Sequence, residues 1–292
     1  DLGDGTSNTL VMNSGAGSVG SVTSSSGDDT FTINGGTVTG AVSAGDGTNT
    51  LTISGTSSSI GSYTGGSGID SATLSGGYVG GALSSGDGND TVLINSTSST
   101  IGGNLDLGAG TGDTLSYAGY GNAVSVTLSD ITSNTGSTAA GGATAISGTT
   151  TGFENLVGGS TTGDTITDST GNSTVAITGA NSGTIDGLAF SAIENLSLST
   201  GDDTVTVTGS GSGVSLTGSL DLGDGTNSLT MNSSAGSIAS VTSGTGDDTF
   251  SISAGSVTGA VSAGDGTNTL TISGASSSIG SYTGGSGIDS AT

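Results

Sequence analysis

The stretch Gly27-Asp28-Asp29-Thr30-Phe31-Thr32-Ile33 decides the fold. Its last four residues alternate threonine with apolar side chains, a period of two that puts Phe31 and Ile33 on one face of a strand and Thr30 and Thr32 on the other. A Gly-Asp turn opens it, since glycine, asparagine and aspartate accept the backbone angles that end strands. The same pattern returns with Leu51 and Ile53, Val92 and Ile94, Val205 and Val207, Phe250 and Ile252, and Leu270 and Ile272. A second apolar pair follows each about ten residues later: Val38 and Val42, Ile60 and Tyr63, Val79 and Leu83, Ile101 and Leu105, and Val257 and Val261.

Marking the Asp or Asn before each first strand gives Asn8, Asp29, Asn49, Asp70, Asp90 and Asp113, then Asp203, Asn227, Asp248, Asn268 and Asp289. Successive marks lie 20 to 24 residues apart. A unit of turn, strand, turn, strand cannot bury its apolar face alone, so units of this length must stack. The expected class is all-β: a parallel β-solenoid of about 20-residue coils with two main strands per coil. A helical reading fails because Gly, Ser and Thr are poor helix formers and no 3.6-residue apolar period is sustained.

A longer repeat overlies the short one. Leu10 to Thr73 aligns without gaps to Leu229 to Thr292, an offset of 219 residues, with about five positions in six identical. Coils are expected over 1–118 and 164–292. Between them, 119–163 reads as irregular coils with a long surface loop around Asp130 to Thr151, where the run Thr138 to Thr144 lacks an acidic turn, all within one continuous solenoid. Spacing also shortens after Glu154, with Asn155, Asp164 and Ser173 nine apart.

Composition narrows the chemistry. Of 292 residues 60 are glycine and 24 are acidic, with no Lys, Arg, His, Cys, Pro or Trp. That removes imidazole and thiolate chemistry, Schiff bases and disulfides. A formal charge of -24 with no side-chain cation disfavours nucleic acid and anionic membranes. No stretch approaches the roughly 20 apolar residues of a membrane-spanning helix, so membrane insertion is not expected. Paired carboxylates such as Asp28 with Asp29 are the chemistry of glycosidases, but these pairs repeat along the chain whereas a catalytic centre is singular, so no enzyme is expected.

Cations are the natural partners. Acids on stacked coils about 5 Å apart repel by roughly 1 kcal/mol in water and several at an effective dielectric of about 20. Carboxylate and turn-carbonyl oxygens suit Ca²⁺, whereas zinc and copper favour the missing nitrogen and sulfur ligands. The bland alternative is that Asp and Asn shape turns and cap strands.

Ser85-Gly86-Asp87-Gly88-Asn89-Asp90-Thr91-Val92-Leu93 resembles the glycine-rich nonapeptide of RTX, or haemolysin-type, calcium-binding repeats, and Gly244-Thr245-Gly246-Asp247-Asp248-Thr249-Phe250 is similar. The run Gly112-Asp113-Thr114-Leu115-Ser116-Tyr117, then Val124-Ser125-Val126-Thr127-Leu128, then Phe153-Glu154-Asn155-Leu156-Val157-Gly158, resembles the segment that introduces such repeats in very large bacterial surface proteins; Glu194-Asn195-Leu196 echoes it. The period of about 20 departs from the roughly 18 of two nonapeptides, only one corner of each coil is acidic, and Asn stands for the key Asp at Asn49 and Asn268. The resemblance together with the ligand chemistry nominates Asp28, Asp29, Asp46, Asp70, Asp87, Asp90, Asp113, Asp164, Asp202, Asp203, Asp224, Asp247, Asp248, Asp265 and Asp289 as calcium ligands.

The functional expectation is a structural repeat segment of an extracellular or cell-surface filament, stalk, sheath or adhesin. The chain opens at Asp1 and closes at Thr292 in mid-pattern, which suggests a window of a longer secreted protein whose open coils meet identical modules end to end, with neighbouring fibres or surface polysaccharide as further partners. An alternative rests on Thr30 and Thr32, Thr50 and Thr52, Thr204 and Thr206, and Thr269 and Thr271, whose stacking would form the Thr-x-Thr face of an ice-binding or ligand-binding adhesin; Thr is also simply a good strand former.

Overall fold

The computed structural model describes residues 1–131, 139–209, 213–232 and 236–292. Among them there is no helix, and the chain divides into two compact units: residues 1–124 with 132–161, and residues 125–131 with 162–292. Each is a parallel β-solenoid whose coils stack about 21 residues apart.

In the first unit the strands Thr9–Met12, Thr30–Ile33, Thr50–Ser54, Ser71–Ser75, Thr91–Ile94, Thr114–Ser116 and Asn155–Val157 pair in parallel, each with the next. Register is strict: Phe31 lies beside Leu51, Leu51 beside Ala72, and Ala72 beside Val92. A slip of one residue would turn that whole apolar column to solvent, so the period-two pattern fixes the pairing. The second sheet is built from Thr37–Ser43, Ser59–Thr64 and the shorter pairs Tyr78–Val79 with Leu83–Ser84 and Thr100–Ile101 with Leu105–Asp106. Its inward columns are Val38, Ile60, Val79 and Ile101, and Val42, Tyr63, Leu83 and Leu105, all at most 1% exposed. Burying each such aliphatic side chain is worth about 1.5–3 kcal/mol, so the four or five per coil are the main source of cohesion.

The second sheet carries a register shift between Val38 and Ala41, and its counterpart recurs in the second unit between Ile238 and Val241 and between Val257 and Ala260. This bulge lets Ile60 and Tyr63, three apart, stack on Val38 and Val42, four apart, with every side chain still inward.

The second unit repeats the plan with Thr204–Val207, Ser228–Met231, Thr249–Ile252, Thr269–Ile272 and Ser290–Ala291 on one sheet. Ser215–Asp221, Ser237–Thr242, Ser256–Gly264 and Ser278–Gly284 form the other. It departs from a pure solenoid at Ser182–Ile185, which pairs antiparallel with Thr174–Gly179 on one side and Leu188–Ser191 on the other. Ile185 and Leu188 are joined by Asp186 and Gly187, both at positive φ (46° and 94°), the geometry of a two-residue hairpin turn. In the first unit, part of the expected loop lies outside the described residues; beyond it Ala139–Ala143 is a strand antiparallel to Thr150–Phe153.

Stacked turns leave no room for side chains. Gly45 sits at φ 82°, and a Cβ there would fall 2.0 Å from the Ser25 carbonyl oxygen of the preceding coil. Gly45→Ala combines left-handed strain with a backbone clash and is expected to destabilise the fold by at least about 2 kcal/mol. Gly20→Ala, where a Cβ meets nothing within 4 Å, is expected to be nearly neutral; denaturant unfolding of the two variants checks the contrast.

Candidate functional site: two acidic rows

The residues that punctuate the sequence form one side-chain column in each unit. In the first, the Asn8 N–H donates to Asp29 Oδ1 (2.6 Å) and the Asp29 N–H to Asn49 Oδ1 (3.1 Å). The Asn49 N–H donates to Asp70 Oδ1 (2.8 Å), Asp70 to Asp90 (2.7 Å), and Asp90 to Asp113 (2.6 Å). Asp113 passes the chain of contacts to Glu154 Oε2 (2.9 Å). In the second unit Ser173, Asp203, Asn227, Asp248 and Asn268 donate in the same sense to Asp203, Asn227, Asp248, Asn268 and Asp289. Glu194 Oε2 accepts from the N–H groups of Gly163 and Asp164 (3.0 Å each).

Inward of the terminal residues Asn8 and Asp289 this row is buried, and Asp29, Asn49, Asp90, Asp113 and Asn268 are fully enclosed. Each rung satisfies a backbone N–H at the corner where the parallel ladder gives out. It does so from the coil above, so every bond crosses a coil boundary.

A second, exposed row stitches in the opposite direction. Asp28 Oδ1 accepts from the N–H of Thr48 one coil on (2.8 Å), and Asp46 from Ser67 N–H (3.1 Å) and Oγ (2.8 Å). Asp202, Asp224, Asp247 and Asp265 accept from Thr226, Thr245, Thr267 and Ser286 in the same way (2.7–2.8 Å). Particular members of the two rows are shifted in opposite directions. Hydrogen bonds from Ser67, Thr245 and Ser286 hold Asp46, Asp224 and Asp265 below the ordinary carboxylate range. Burial pushes Asp70, Asp113, Asp248 and Glu154 up, Asp90 to about 7 and Asp203 to about 6.

The nominated acids are therefore sorted rather than gathered. Asp29, Asp70, Asp90, Asp113, Asp203, Asp248 and Asp289 lie on the inner row, and Asp28, Asp46, Asp202, Asp224, Asp247 and Asp265 on the outer one. Asp87 is exposed beside them, bridged in parallel to Ser67 and Ala109, and Asp164 is buried next to the Glu194 contact. Among the described residues no three acidic side chains form a group able to hold a metal ion. The sequence reading did not assign Glu154 and Glu194 this role; the repeated Glu-Asn-Leu was the signal available.

The threonine rows are also in register: Thr9, Thr30 and Thr50 neighbour one another, as do Thr32, Thr52 and Thr73, before Leu93 interrupts the second row. Compared with known protein families, curated proteins and solved structures, the chain matches none.

Asn49 tests the inner row directly. Asn49→Ala removes the acceptor for the Asp29 N–H and the donors to the carbonyls of Gly45 and Gly47, and is expected to cost about 2–4 kcal/mol in denaturant unfolding. Asn34→Ala, at an exposed position whose Oδ1 accepts from the Ser54 hydroxyl (2.6 Å), is expected to change stability by about 0.5 kcal/mol or less.

Proposed function

We propose that this chain is a structural repeat segment of an extracellular or cell-surface filament, stalk, sheath or adhesin, of the RTX-like kind that its glycine-rich turns resemble. The observation that carries the reading is the inner row, because it supplies each buried corner with a bond to the neighbouring coil and repeats without a singular centre. Such an arrangement resists extension along the stack and does not converge reactive groups on one point. Partners in this reading are further copies of the module and neighbouring fibres.

Calcium belongs to the outer row in this reading, at Asp46, Asp224 and Asp265, which are exposed and held ionised by their hydrogen bonds. On the inner row Asn49, Asn227 and Asn268 bring no charge, and their Nδ2 groups already donate to the turn carbonyls that a cation would use.

Single-molecule stretching tests the structural role. Expected are successive ruptures that each release about one coil, on the order of 70 Å of chain. Collapse of the whole chain in one low-force step, or turnover of a polysaccharide, would count against it. Melting in EDTA and in millimolar calcium tests the cation separately: a rise with calcium that is lost in the triple variant Asp46→Asn, Asp224→Asn, Asp265→Asn supports it, and no rise removes calcium while leaving the structural reading intact.

The registered threonines favour one second reading, an ice-binding face. Thermal hysteresis in the purified chain, abolished by Thr52→Val with Thr32→Val, is the outcome that would move the assignment there.

A further inference from the structure

The sequence holds 60 glycines, yet asparagine stands directly before one only at Asn34-Gly35. In such a pair the side-chain amide carbon is within reach of the next backbone nitrogen, and glycine has no Cβ to obstruct the ring that their bond would close. The pair opens the turn between Thr30–Ile33 and Thr37–Ser43, with Asn34 exposed and Gly35 buried.

Three observations single it out. First, the Ser54 hydroxyl of the following coil donates to Asn34 Oδ1 (2.6 Å). That bond draws electron density from Asn34 Cγ and stabilises the negative oxygen that forms when the carbon is attacked, as an oxyanion hole does. Second, among the described residues the Gly35 N–H donates to no acceptor. A buried donor without a partner is unfavourable, and an imide nitrogen carries no hydrogen to satisfy. Third, the comparable nitrogens elsewhere are occupied. In the turns Asp46-Gly47, Asp87-Gly88, Asp224-Gly225 and Asp265-Gly266 the glycine N–H donates to the carbonyl of Ser67, Ala109, Thr245 or Ser286 (2.8–3.0 Å).

We propose that Asn34-Gly35 is a self-modifying site, which the folded chain converts without an enzyme to aspartate and isoaspartate, with the Ser54 hydroxyl activating the amide. The Gly35 nitrogen gives its proton to solvent base and attacks Asn34 Cγ. The carboxamide C–N bond breaks, its nitrogen takes a proton from water and leaves as ammonia, and a cyclic imide remains. Water then opens the ring. Addition at Cγ breaks the new bond and yields aspartate; addition at the Asn34 main-chain carbonyl breaks the original peptide bond and leaves the chain running through Cγ as isoaspartate. One water enters, one ammonia departs, and nothing is oxidised or reduced.

The isoaspartate product lengthens the main chain by one methylene where the stack has no slack. A Cβ on Gly35 would fall 2.7 Å from Ser14 Cα, and one on Gly36 2.5 Å from the Gly17 carbonyl oxygen. The lengthened turn must therefore move away from the preceding coil, so conversion loosens the contact between the two. The second unit is spared, because the positions 219 residues on are Ser253 and Ala254, with no amide to lose.

The test keeps the purified full chain for weeks in mildly basic ¹⁸O-water, folded or unfolded in urea, then cleaves it with an aspartate-directed protease for mass spectrometry. In the folded chain the Asn34 peptide is expected to exchange NH₂ for labelled OH and split into two isomers, while the other asparagine peptides change several-fold less. Conversion is expected to be slower in mildly acidic buffer, where the Gly35 nitrogen keeps its proton, and several-fold slower in Ser54→Ala. The aged parent should also unfold at lower denaturant than Asn34→Ser aged beside it. The proposal is overturned if the folded chain keeps the Asn34 amide, or converts it more slowly than the urea-unfolded chain, since the fold then protects the pair. It is also overturned if Ser54→Ala converts as fast as the parent, because the hydroxyl then activates nothing. Should Ser54→Ala fail to fold, the comparison of folded and unfolded parent chain decides.

Discussion

The structure depends on one constraint: at each corner where two strands meet, a backbone N–H is buried beyond the reach of the parallel ladder and must find an acceptor. The side-chain oxygen of the next coil's Asp or Asn provides it. Leaving such a group unpaired costs about 1–3 kcal/mol, comparable to what one buried aliphatic side chain contributes, so a coil lacking its rung forfeits a large part of its cohesion. Glu154, just before the strand that pairs directly with the one Asp113 precedes, provides the same acceptor with Oε2.

Much of this was legible in the sequence. The Asp and Asn marks chosen as punctuation are the rungs themselves, because the residue that ends a turn and opens a strand is also the one whose side chain points along the stack. The first-strand pairs, Phe31 with Ile33 and Leu51 with Ile53, are buried as their alternation requires. Less legible was the second sheet. Val38 and Val42 are four apart but Ile60 and Tyr63 only three, and period two cannot place both pairs inward; the bulge reconciles them, and a bulge leaves no composition of its own in a chain so rich in glycine.

Two features were hidden for different reasons. The shortened spacing after Glu154 marks an antiparallel excursion in the second unit, and its signal was Asp186-Gly187 between Ile185 and Leu188, a common hairpin pair that loses its force among so many Gly-Asp pairs. The division of the acids into two rows was hidden because neighbours in sequence behave oppositely. Asp28 and Asp29 are adjacent, yet one is exposed and accepts from the coil ahead while the other is enclosed and accepts from the coil behind. Charge counting treats them alike; only the register tells them apart.

That opposition bears on why the rungs mix aspartate with asparagine. Amide and carboxyl have nearly the same shape, so packing does not discriminate between them, and each offers Oδ1 to the preceding N–H. They differ in the second atom, where Asn49 holds a donor against Gly45 and Gly47 and Asp90 holds an oxygen. A column made entirely of ionised Asp would stack like charges about 5 Å apart in a poorly screened corner, at several kcal/mol per neighbouring pair. Interposing Asn8, Asn49, Asn227 and Asn268 removes charge from some rungs without disturbing the bond that holds the coil. Between Asp70, Asp90 and Asp113 no Asn intervenes, and in that stretch burial raises all three carboxyls together. The composition of the row therefore sets how much like charge each coil must bury, while each rung keeps the same bond from backbone N–H to side-chain oxygen.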